Sequence, residues 1–262
     1  LGRLLGRDPA TLLDTRLHEQ VAPEDSGRFR PGTSDRRIRH QLGHDIWVLV
    51  KTVDLPEAAQ GALLVCMEDA TARHNTERLL LHAALHDSLT NLPNRRLLHD
   101  RLETALARSS RHDRSVAVLF VDLDRFKDVN DNLGHDAGDE VLIAVAHGIQ
   151  AVIRADDTVA RLGGDEFVVV CEAVESRELL VMLAERLTSV IQRPMRVHGH
   201  TISVRASIGI AQSGPSAHSA EELIRAADLA MYRAKTSSTR SFMFADEVTP
   251  AGAVEVGHPE EG

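Results

Sequence analysis

The sequence predicts an α+β protein in which helices cover a mixed β-sheet, and three observations lead to this class. From residue 87 onward, short apolar runs typical of strands alternate with longer stretches of helical periodicity. The run "SVAVLFVDLD" at 115–124 is nearly all apolar, which is typical of a central strand buried on both faces. The glycine pair at 163–164 separates two further apolar runs, which indicates a hairpin in the same sheet.

The composition is that of a soluble protein with an aliphatic core. The 262 residues suffice for one large or two ordinary domains, and 43% of them are hydrophobic. The formal net charge of -9 argues against broad nucleic-acid binding, which normally relies on a basic face. We therefore expect no nucleic-acid partner, and an anionic small ligand would need a metal ion or a few well-placed Lys and Arg side chains.

Cysteine usage and the termini indicate a cytoplasmic protein. Cys66 and Cys171 each lie inside an apolar run, which favours two buried free thiols in a reducing compartment over a single disulfide. No apolar run approaches the roughly 18 residues of a membrane span, so we expect no membrane segment. The N-terminus lacks the layout of a signal peptide and lacks Met, which suggests an excised fragment.

The first 70 residues contain short mixed segments. We predict a small helix at 9–17, a turn-rich connection at 22–29, and strands at 45–55 and 61–70 joined by the hairpin-like "PEAAQ".

A helix is predicted over 71–86, which contains neither Pro nor Gly and would link two domains. Leu79, Leu80, Ala83 and Ala84 give it an apolar stripe. The stripe suits packing on the helix's own domain or a dimerising coil, and the run is too short for sustained heptads to decide between them.

The remaining elements follow from residue 87 onward. Asn94 is expected to cap a helix at 95–109, and the strand at 115–124 comes next. A helical stretch is then interrupted by "NLGHDAGD" at 132–139 before it resumes. Further strands and helices are predicted, in chain order, at 157–162, 166–171, 176–192 (helix), 195–199, 201–212, 220–235 (helix) and 241–245. The acidic, unpatterned tail 246–262 is predicted to be disordered.

Carboxylates converge at the ends of two predicted strands. Asp122 and Asp124 share one face of the central strand, although a strand-end Asp also commonly caps a turn. Gly163-Gly164 favours a primed two-residue turn with no Cβ to block a ligand, and Asp165 and Glu166 follow it. If the hairpin pairs beside the central strand, Asp165 approaches Asp122. Two such carboxylates favour a divalent cation, and Mg²⁺ shared with substrate phosphates suits these ligands.

Three motifs in this order resemble one family. "DSLTNLPNR" at 87–95, "DLDRFKDVNDNLGHDAGDEVL" at 122–142 and "RLGGDEF" at 161–167 strongly resemble the GGDEF family of diguanylate cyclases, over about residues 83–245. The resemblance implies a fold like that of nucleotidyl cyclase and polymerase palms. It also implies that a homodimer, holding one GTP per domain, converts two GTP into cyclic di-GMP and two pyrophosphates.

The resemblance also implies a metal site and a catalytic turn. Asp122 and Asp165 match the Mg²⁺ carboxylates, with Mn²⁺ as an alternative ion and the Leu123 carbonyl as a further ligand. Glu166 matches a second metal ligand or a helper in deprotonating the attacking 3′-hydroxyl. Gly163 and Gly164 would let the substrate approach the backbone.

Substrate contacts follow from the same resemblance. Asn130 and Asp139 match the pair that reads guanine, whose N–H donors a carboxylate accepts together. Lys127 and Lys235 match phosphate contacts, although lone helix lysines are usually only solvated. The chain departs from the family after Lys235, because Arg240 lies one position later than the family's basic residue.

A product-inhibition site is implied upstream of the hairpin. Arg154 and Asp157 in "RADD" match it by position, and Arg186 matches a secondary contact. Arg binds phosphate bidentately and stacks on guanine, and Asp accepts from a guanine edge. The alternative is a surface ion pair.

Residues 1–70 resemble the later part of a PAS sensor domain, an α/β fragment truncated at its N-terminus. "LLGRDPATLL", "VAPEDSGRF", "GHDIWVLVKTVDL" and "GALLVCMEDATAR" carry this resemblance. Residues 71–86 would then be the signalling helix, and 87–245 the GGDEF domain. His40, His44 and Cys66 form no haem or flavin pattern.

Two functions from different classes fit these motifs. The leading hypothesis is a PAS-controlled diguanylate cyclase, because the "GGDEF" turn is intact. The alternative is a non-catalytic GTP-binding or cyclic di-GMP-binding module that regulates a phosphodiesterase domain of a larger protein.

Overall fold

The chain divides into two compact units, Leu1–Ala84 and Leu85–Gly262. The computed structural model describes residues 2–6, 8, 30–54, 63–109, 115–214, 219–237 and 240–247. The predicted helix at 9–17, the connection at 22–29 and the "PEAAQ" connection lie outside the described residues.

The first unit contains a three-stranded antiparallel sheet. Its strands β1 (Gly32–Arg39), β2 (Asp45–Asp54) and β3 (Leu63–Asp69) pair in the order β1-β2-β3. β2 and β3 confirm the two predicted strands. β1 is absent from the sequence-based prediction because "GTSDRRIR" buries only Ile38 and so shows no apolar alternation.

A small core lies on one face of this sheet. Its buried members come from the short helix α1 (Gly2–Leu5), β1 and β2: Leu5, Ile38, Ile46, Val48 and Val50. Nothing in this sheet distinguishes the sensor family, so the PAS resemblance stays a prediction.

The predicted helix at 71–86 is confirmed as α2 (Thr71–Leu85). Its start is fixed locally, because the Thr71 N–H donates to Asp69 Oδ1 at 2.9 Å and the Trp47 N–H donates to Thr71 Oγ1 at 3.1 Å. None of its described residues is buried, and Leu79, Leu80 and Leu81 are 64–66% exposed. Packing on its own domain, one of the two predicted roles of the apolar stripe, is therefore not observed among these residues.

The second unit is built on a five-stranded sheet with the order β10-β9-β4-β6-β5. The central strand β4 pairs antiparallel with both neighbours, whereas β10 runs parallel to β9, so the sheet is mixed as predicted. The strand bounds are β4 Ser115–Asp124, β5 Thr158–Gly163, β6 Glu166–Val174, β9 Arg205–Gln212 and β10 Phe242–Phe244.

Helices cover both faces of this sheet. Asn94 caps the first of them as predicted, because its Oδ1 accepts the N–H groups of Arg96 (3.0 Å) and Leu97 (3.2 Å). A separate two-stranded hairpin consists of β7 (Met195–Val197) and β8 (His200–Ile202). The helices are α3 Arg95–Ser109, α4 Phe126–Leu133, α5 His135–Val152, α6 Arg177–Ile191 and α7 Ala220–Thr236.

The alternation of side chains along β4 sorts its residues into two cores. Leu119 and Val121 pack in a cluster with residues of α5 and α6. Val118 and Phe120 pack in a second cluster with residues of α3 and α7. Because β4 is covered on both faces, its sequence is continuously apolar until Asp122. Asp122 continues the face that α3 and α7 cover, and the candidate site therefore lies on that side of the sheet.

Two predicted element boundaries are wrong. The break at "NLGHDAGD" is confined to Gly134 (φ +86°), because the buried Ala137 and Gly138 already belong to the first turns of α5. The single strand predicted at 201–212 is two strands, β8 and β9, interrupted at Ser203 and Val204.

The first two residues of the predicted tail, Asp246 and Glu247, are not disordered. They belong to a 3₁₀ turn, Ala245–Glu247. The guanidinium of Arg177 on α6 pairs with the carboxylates of Asp246 (2.6 Å) and Glu247 (2.7 Å). The tail from 248 onward lies outside the described residues.

The two cysteines differ in their exposure to solvent. Both cysteines are free and Cys171 is buried, as predicted, but Cys66 is exposed because its side chain lies on the uncovered face of β3.

No helix among the described residues has both the length and the apolar character needed to cross a membrane.

Candidate active site

The glycine turn joins β5 to β6, but its centre is shifted by one residue from the prediction. Gly163 pairs with Glu166, so the two central residues are Gly164 and Asp165 rather than the two glycines. Gly164 has φ +53° at the first central position, as in a type II′ turn. A Cβ on either glycine would meet open space, so conformation rather than crowding favours glycine here.

Pairing of β6 with β4 brings the turn carboxylates to the central strand. Asp122 lies opposite Glu166 in the register, and the Leu123 N–H donates to the Asp165 carbonyl at 3.3 Å. The hairpin therefore lies beside the central strand, as the carboxylate prediction requires.

Asp122 is a buried carboxylate paired with Lys235. It is only 8% exposed, and its Oδ1 accepts a hydrogen bond from Lys235 Nζ at 2.5 Å. Burial raises the pKa of Asp122, Lys235 opposes the rise, and the charges of Asp165 and Asp124 add to it. Burial lowers the pKa of Lys235, but its hydrogen bond to Asp122 and the nearby carboxylates leave it raised overall. The site thus retains an excess of negative charge that a further cation would offset.

Glu166 lies in the same electrostatic cluster. Burial, the largest cause, raises its pKa, Asp228 on α7 raises it further, and Arg95 at the start of α3 opposes this. A carboxylate with a raised pKa is a stronger base, which suits it to accept a proton. Asp228 and Arg95 carried no assignment from the sequence, because both act through helix packing rather than through the turn motif.

The donors at this site fit a hard divalent cation. The carboxylates of Asp122 and Asp165 and the Leu123 carbonyl are oxygen ligands of the kind that Mg²⁺ accepts. Among the described residues, no group of three or more His, Cys, Asp or Glu side chains is arranged to hold a metal by itself. This donor set therefore suits an ion that takes its remaining ligands from phosphate and water rather than one enclosed by protein.

Arg161, on β5 just before the glycine turn, holds the turn in place by hydrogen bonds, a role absent from the sequence-based prediction. Its Nε and Nη2 donate to the Gly164 carbonyl at 3.0 and 2.8 Å, and its Nη1 donates to Asp87 Oδ1 at 2.9 Å. The Thr90 N–H and hydroxyl donate to the same Asp87 oxygen at 2.8 and 2.6 Å. Burial alone would raise the pKa of Asp87, but the bonds from Thr90 and Arg161 leave it lowered. The signal was available, since "DSLTN" and "RLGGDEF" contain these residues.

The predicted guanine-reading residues lie on two helices, α4 and α5, that approach each other closely. A Cβ placed on Gly138 would overlap Asn130 Oδ1, so the Asn130 side chain lies against the backbone one residue before Asp139. Asp139 itself is exposed on α5. The close approach of the two helices at Gly138 therefore places the Asn130 amide beside the turn of α5 that carries Asp139.

A cavity of about 1160 Å³ opens at the carboxyl end of β4, and Lys235 and Asp124 line it. Ser207 Oγ donates to Asp124 Oδ1 at 2.8 Å. α4 starts at this cavity, where its N-cap residue Arg125 (φ +56°) provides no side-chain cap. Lys127, the other predicted phosphate contact, is exposed on α4 and is not among the cavity's lining residues.

Two of the three predicted inhibitory residues, Arg154 and Asp157, occupy the connection between α5 and β5. Asp157 Oδ2 accepts the backbone N–H of Arg154 at 3.0 Å, and the Asp157 N–H donates to the Arg154 carbonyl at 3.1 Å. Asp157 therefore closes a turn, and its carboxylate does not pair with the Arg154 guanidinium. Arg186 on α6 donates to the Val152 carbonyl at the end of α5. The three residues thus surround the end of α5, and β5 separates them from the turn.

Comparisons with known proteins agree with this geometry. A family described as "Diguanylate cyclase, GGDEF domain" matches residues 84–241. The bifunctional diguanylate cyclase/cyclic di-GMP phosphodiesterase MucR of Pseudomonas aeruginosa is 47% identical over 186 residues, which are 71% of this chain and 27% of MucR. The diguanylate cyclase TpbB of the same species is 43% identical over 187 residues, 71% of this chain and 43% of TpbB. The chain thus spans less than half the length of these relatives.

Solved structures show the same fold. The GGDEF domain of TpbB from Pseudomonas aeruginosa superposes with a TM-score of 0.59 at 43% identity, covering 61% of this chain and 94% of that domain. The GGDEF domain of DgcB from Caulobacter crescentus, in complex with c-di-GMP, has a TM-score of 0.58 at 28% identity, covering 62% and 96%. From the turn geometry, the family match and these relatives we conclude that the chain belongs to the GGDEF family of diguanylate cyclase domains.

Proposed function

We propose that this chain condenses two GTP molecules into cyclic di-GMP with release of two pyrophosphates. The observation that carries the proposal is the placement of Asp165 and Glu166 against the buried Asp122, beside Lys235. The relatives TpbB and MucR, which carry diguanylate cyclase in their names, support the reaction class.

In the proposed reaction, the 3′-oxygen of one GTP forms a bond to the α-phosphorus of the other and pyrophosphate leaves. Mg²⁺, with Mn²⁺ as an alternative, would be held by Asp122, Asp165 and the Leu123 carbonyl, and would offset charge on the phosphates. Glu166, whose pKa burial raises, receives the proton of the attacking hydroxyl or completes the ligand set. Lys235, held at Asp122, would bind the phosphates.

Guanine recognition is assigned to the α4–α5 junction. Asp139 would accept the base's N–H donors, and Asn130, held against Gly138, would contact the same edge. Gly163 and Gly164 leave open space above the turn, which supports close approach of the nucleotide.

The proposed enzyme acts as a homodimer, because each domain holds one of the two GTP molecules. The exposed leucines at 79–81 of α2 support contact between two copies through this helix. Arg154, Asp157 and Arg186 would bind the product and inhibit the enzyme, and DgcB, solved with c-di-GMP, supports binding of this dinucleotide by the family. Residues 1–70 would act as a PAS-type sensor, and the chain would function in the cytoplasm.

The alternative, a non-catalytic nucleotide-binding module within a phosphodiesterase, is favoured by one comparison. The cyclic di-GMP phosphodiesterase NbdA of Pseudomonas aeruginosa is 35% identical over 165 residues.

Product analysis distinguishes the proposed cyclase from the non-catalytic alternative. The purified chain is incubated with GTP and Mg²⁺, and the products are identified by mass spectrometry. We expect cyclic di-GMP from the wild type and from the control Glu175→Gln, an exposed carboxylate just beyond the far end of β6. Asp165→Ala should make no product and still unfold cooperatively. Binding of GTP by the wild type without any product would instead identify the regulatory module.

A further inference from the structure

The turn that follows β10 carries a carboxylate that the proposed reaction does not use. Glu247 ends this turn, Ala245–Glu247, and lies beyond residues 84–241, which the GGDEF family matches. Its Oε1 accepts a hydrogen bond from Arg177 Nη2 at 2.7 Å, and its Oε2 accepts one from Arg240 Nη1 at 3.0 Å. Glu247 therefore joins two guanidinium groups through its two carboxylate oxygens.

One of these two groups, the guanidinium of Arg240, belongs to a residue at the cavity that opens at the carboxyl end of β4. Arg240 lines this cavity together with Lys235. Its backbone is fixed beside β9, because the Ile208 N–H donates to the carbonyl of the next residue, Ser241, at 2.9 Å. Its side chain is 63% exposed, and among the described residues its one ion-pair partner is Glu247. Without this partner, a long exposed side chain would sample many rotamers in solvent.

The other group, the guanidinium of Arg177, anchors Glu247 to the body of the unit. Arg177 begins α6, and its guanidinium carbon lies 3.6 Å from the centre of the ring of Phe244, a core residue of β10. Its Nη1 also donates to Asp246 Oδ2 at 2.6 Å. A guanidinium that lies on an aromatic face and bonds two carboxylates has little conformational freedom left. Glu247 is therefore held in place independently of Arg240.

This anchoring makes the pair of Glu247 and Arg240 more than an ordinary surface ion pair. Exposed pairs usually contribute little, because two long side chains must be ordered and solvent screens their charges. Here Arg177 has already ordered the carboxylate, so only the Arg240 side chain remains to be immobilised. The pair thus favours one position of the Arg240 guanidinium.

We propose that Glu247 is a positioning residue for the nucleotide site, which acts by holding the Arg240 guanidinium, with Arg177 as its anchor. The inference rests on the proposed function. Arg240 lies one position later than the family's basic residue, and a turn outside the family match compensates for this shift. Among the described residues only Nη1 of Arg240 is bonded, so its Nε and Nη2 are left to donate to the nucleotide.

Calorimetric titration with Mg²⁺ and the α,β-methylene analogue of GTP, which cannot release pyrophosphate, tests this role. Arg240→Ala should weaken binding by about tenfold, the effect of one lost charge-assisted hydrogen bond. Glu247→Ala should weaken it by roughly fivefold, because Arg240 keeps its charge but must then be immobilised on binding. The matched control is Asp246→Ala, which removes a carboxylate that bonds Arg177 but not Arg240, and it should bind like the wild type.

The double variant Glu247→Ala/Arg240→Ala separates positioning from a structural role. A residue that acts through Arg240 has nothing left to position once that guanidinium is removed, so the double variant should bind the analogue as Arg240→Ala does. A further loss in the double variant would overturn the proposal. Denaturant unfolding completes the test, because Glu247→Ala and Asp246→Ala each remove one bond to Arg177 and should lose similar stability.

Steady-state kinetics distinguish this proposal from the proposed function. In an active cyclase, Glu247→Ala should raise KM for GTP and leave kcat nearly unchanged, the result of lost uniform binding. A chain that makes no cyclic di-GMP, but binds the analogue less tightly only after Glu247→Ala and not after Asp246→Ala, would support the positioning role and remove the cyclase. A chain that makes cyclic di-GMP, but whose Glu247→Ala and Asp246→Ala variants bind alike, would overturn the positioning role alone. A wild type that fails to bind the analogue would also overturn it.

Discussion

At the scale of single residues, the turn that presents the candidate carboxylates depends on a guanidinium that holds it in place. Arg161 is nearly buried, with 10% of its side chain exposed, and it joins the turn carbonyl of Gly164 to Asp87. Asp87 is in turn held by Thr90. The position of Asp165 is therefore determined by a chain of hydrogen bonds that begins some eighty residues earlier in the sequence.

Arg161→Lys should reduce kcat more than it changes KM. A lysine cannot donate to Gly164 and Asp87 in the same forked geometry, so the turn loses its anchor and stability falls by about 1–3 kcal/mol. Denaturant unfolding and initial rates measure the two effects. Arg101→Lys is the matched control, because Arg101 donates to Thr158 Oγ1 on the neighbouring strand β5, at 3.2 Å, and to no other residue that the structure describes. A wild-type kcat in Arg161→Lys would show that Asp165 is positioned by other means.

The two carboxyls with opposite pKa shifts should respond oppositely to pH. Glu166 has a raised pKa in the folded state, so the folded state binds more protons than the unfolded chain. Its stability therefore falls as the pH rises from the ordinary pKa of a glutamate through the raised pKa. Asp87 has a lowered pKa, so its contribution is present above its ordinary pKa and is lost as pH falls through the lowered value.

Neutralising each group should therefore change stability in opposite directions. At pH 7 without metal, we expect Glu166→Gln to unfold at higher denaturant concentration than the wild type and Asp87→Asn at lower. Added Mg²⁺ should narrow the difference between Glu166→Gln and the wild type, because the ion offsets the same repulsion. A destabilised Glu166→Gln would mean that Glu166 is needed by the fold.

At the scale of elements, the site depends on how closely α7 approaches the sheet. A Cβ on Gly209 of β9 would overlap the Ala227 carbonyl and the Met231 N–H of α7. The absence of a side chain at this one position lets the helix lie directly on the strand. α7 then delivers Lys235 to Asp122 from its last turn.

Gly209→Ala should push α7 away from the sheet. Overpacking of this kind costs about 1–3 kcal/mol, and the displacement of Lys235 should also lower cyclase activity. Gly214→Ala is the control, because a Cβ there meets no atom within 4 Å. Thermal unfolding and initial rates of the two variants provide the comparison. Equal stability of both would show that α7 does not rest on this contact.

At the scale of the whole molecule, the proposed reaction needs two copies to bring two half-sites together. The residues assigned to product binding lie at the opposite end of β5 from the catalytic turn. Product bound there would not touch the carboxylates proposed to hold the metal, and it would inhibit by holding two cyclase domains apart.

Arg154→Ala should therefore relieve feedback without changing catalysis. Progress curves with and without added cyclic di-GMP should show an unchanged initial rate, weaker inhibition and more product late in the reaction. The weaker inhibition should result from the missing guanidinium and not from a changed turn, because the bond to Asp157 Oδ2 comes from the backbone N–H of Arg154. Equal slowing of variant and wild type by added product would place the inhibition elsewhere, for example in competition at the active site.

The sequence by itself determined most elements of the second unit, and its motifs indicated the candidate site residues. The apolar run of β4, the glycine turn and the cap at Asn94 are local signals, because each depends on side chains within a few residues. The order of three motifs was enough to indicate the family. Short polar elements such as β1 were not predicted, because their pairing is decided by a distant strand.

The tertiary structure alone decided which of these residues meet. The pairing of Asp122 with Lys235 and of Arg161 with Asp87 joins positions 113 and 74 residues apart, and no local pattern encodes such contacts. The turn centre at Gly164-Asp165 follows from the register of β5 against β6, since a shift of one residue reverses the face of every side chain. The cavity at the end of β4 likewise exists only because β9, α4 and the end of α7 converge at one end of the sheet.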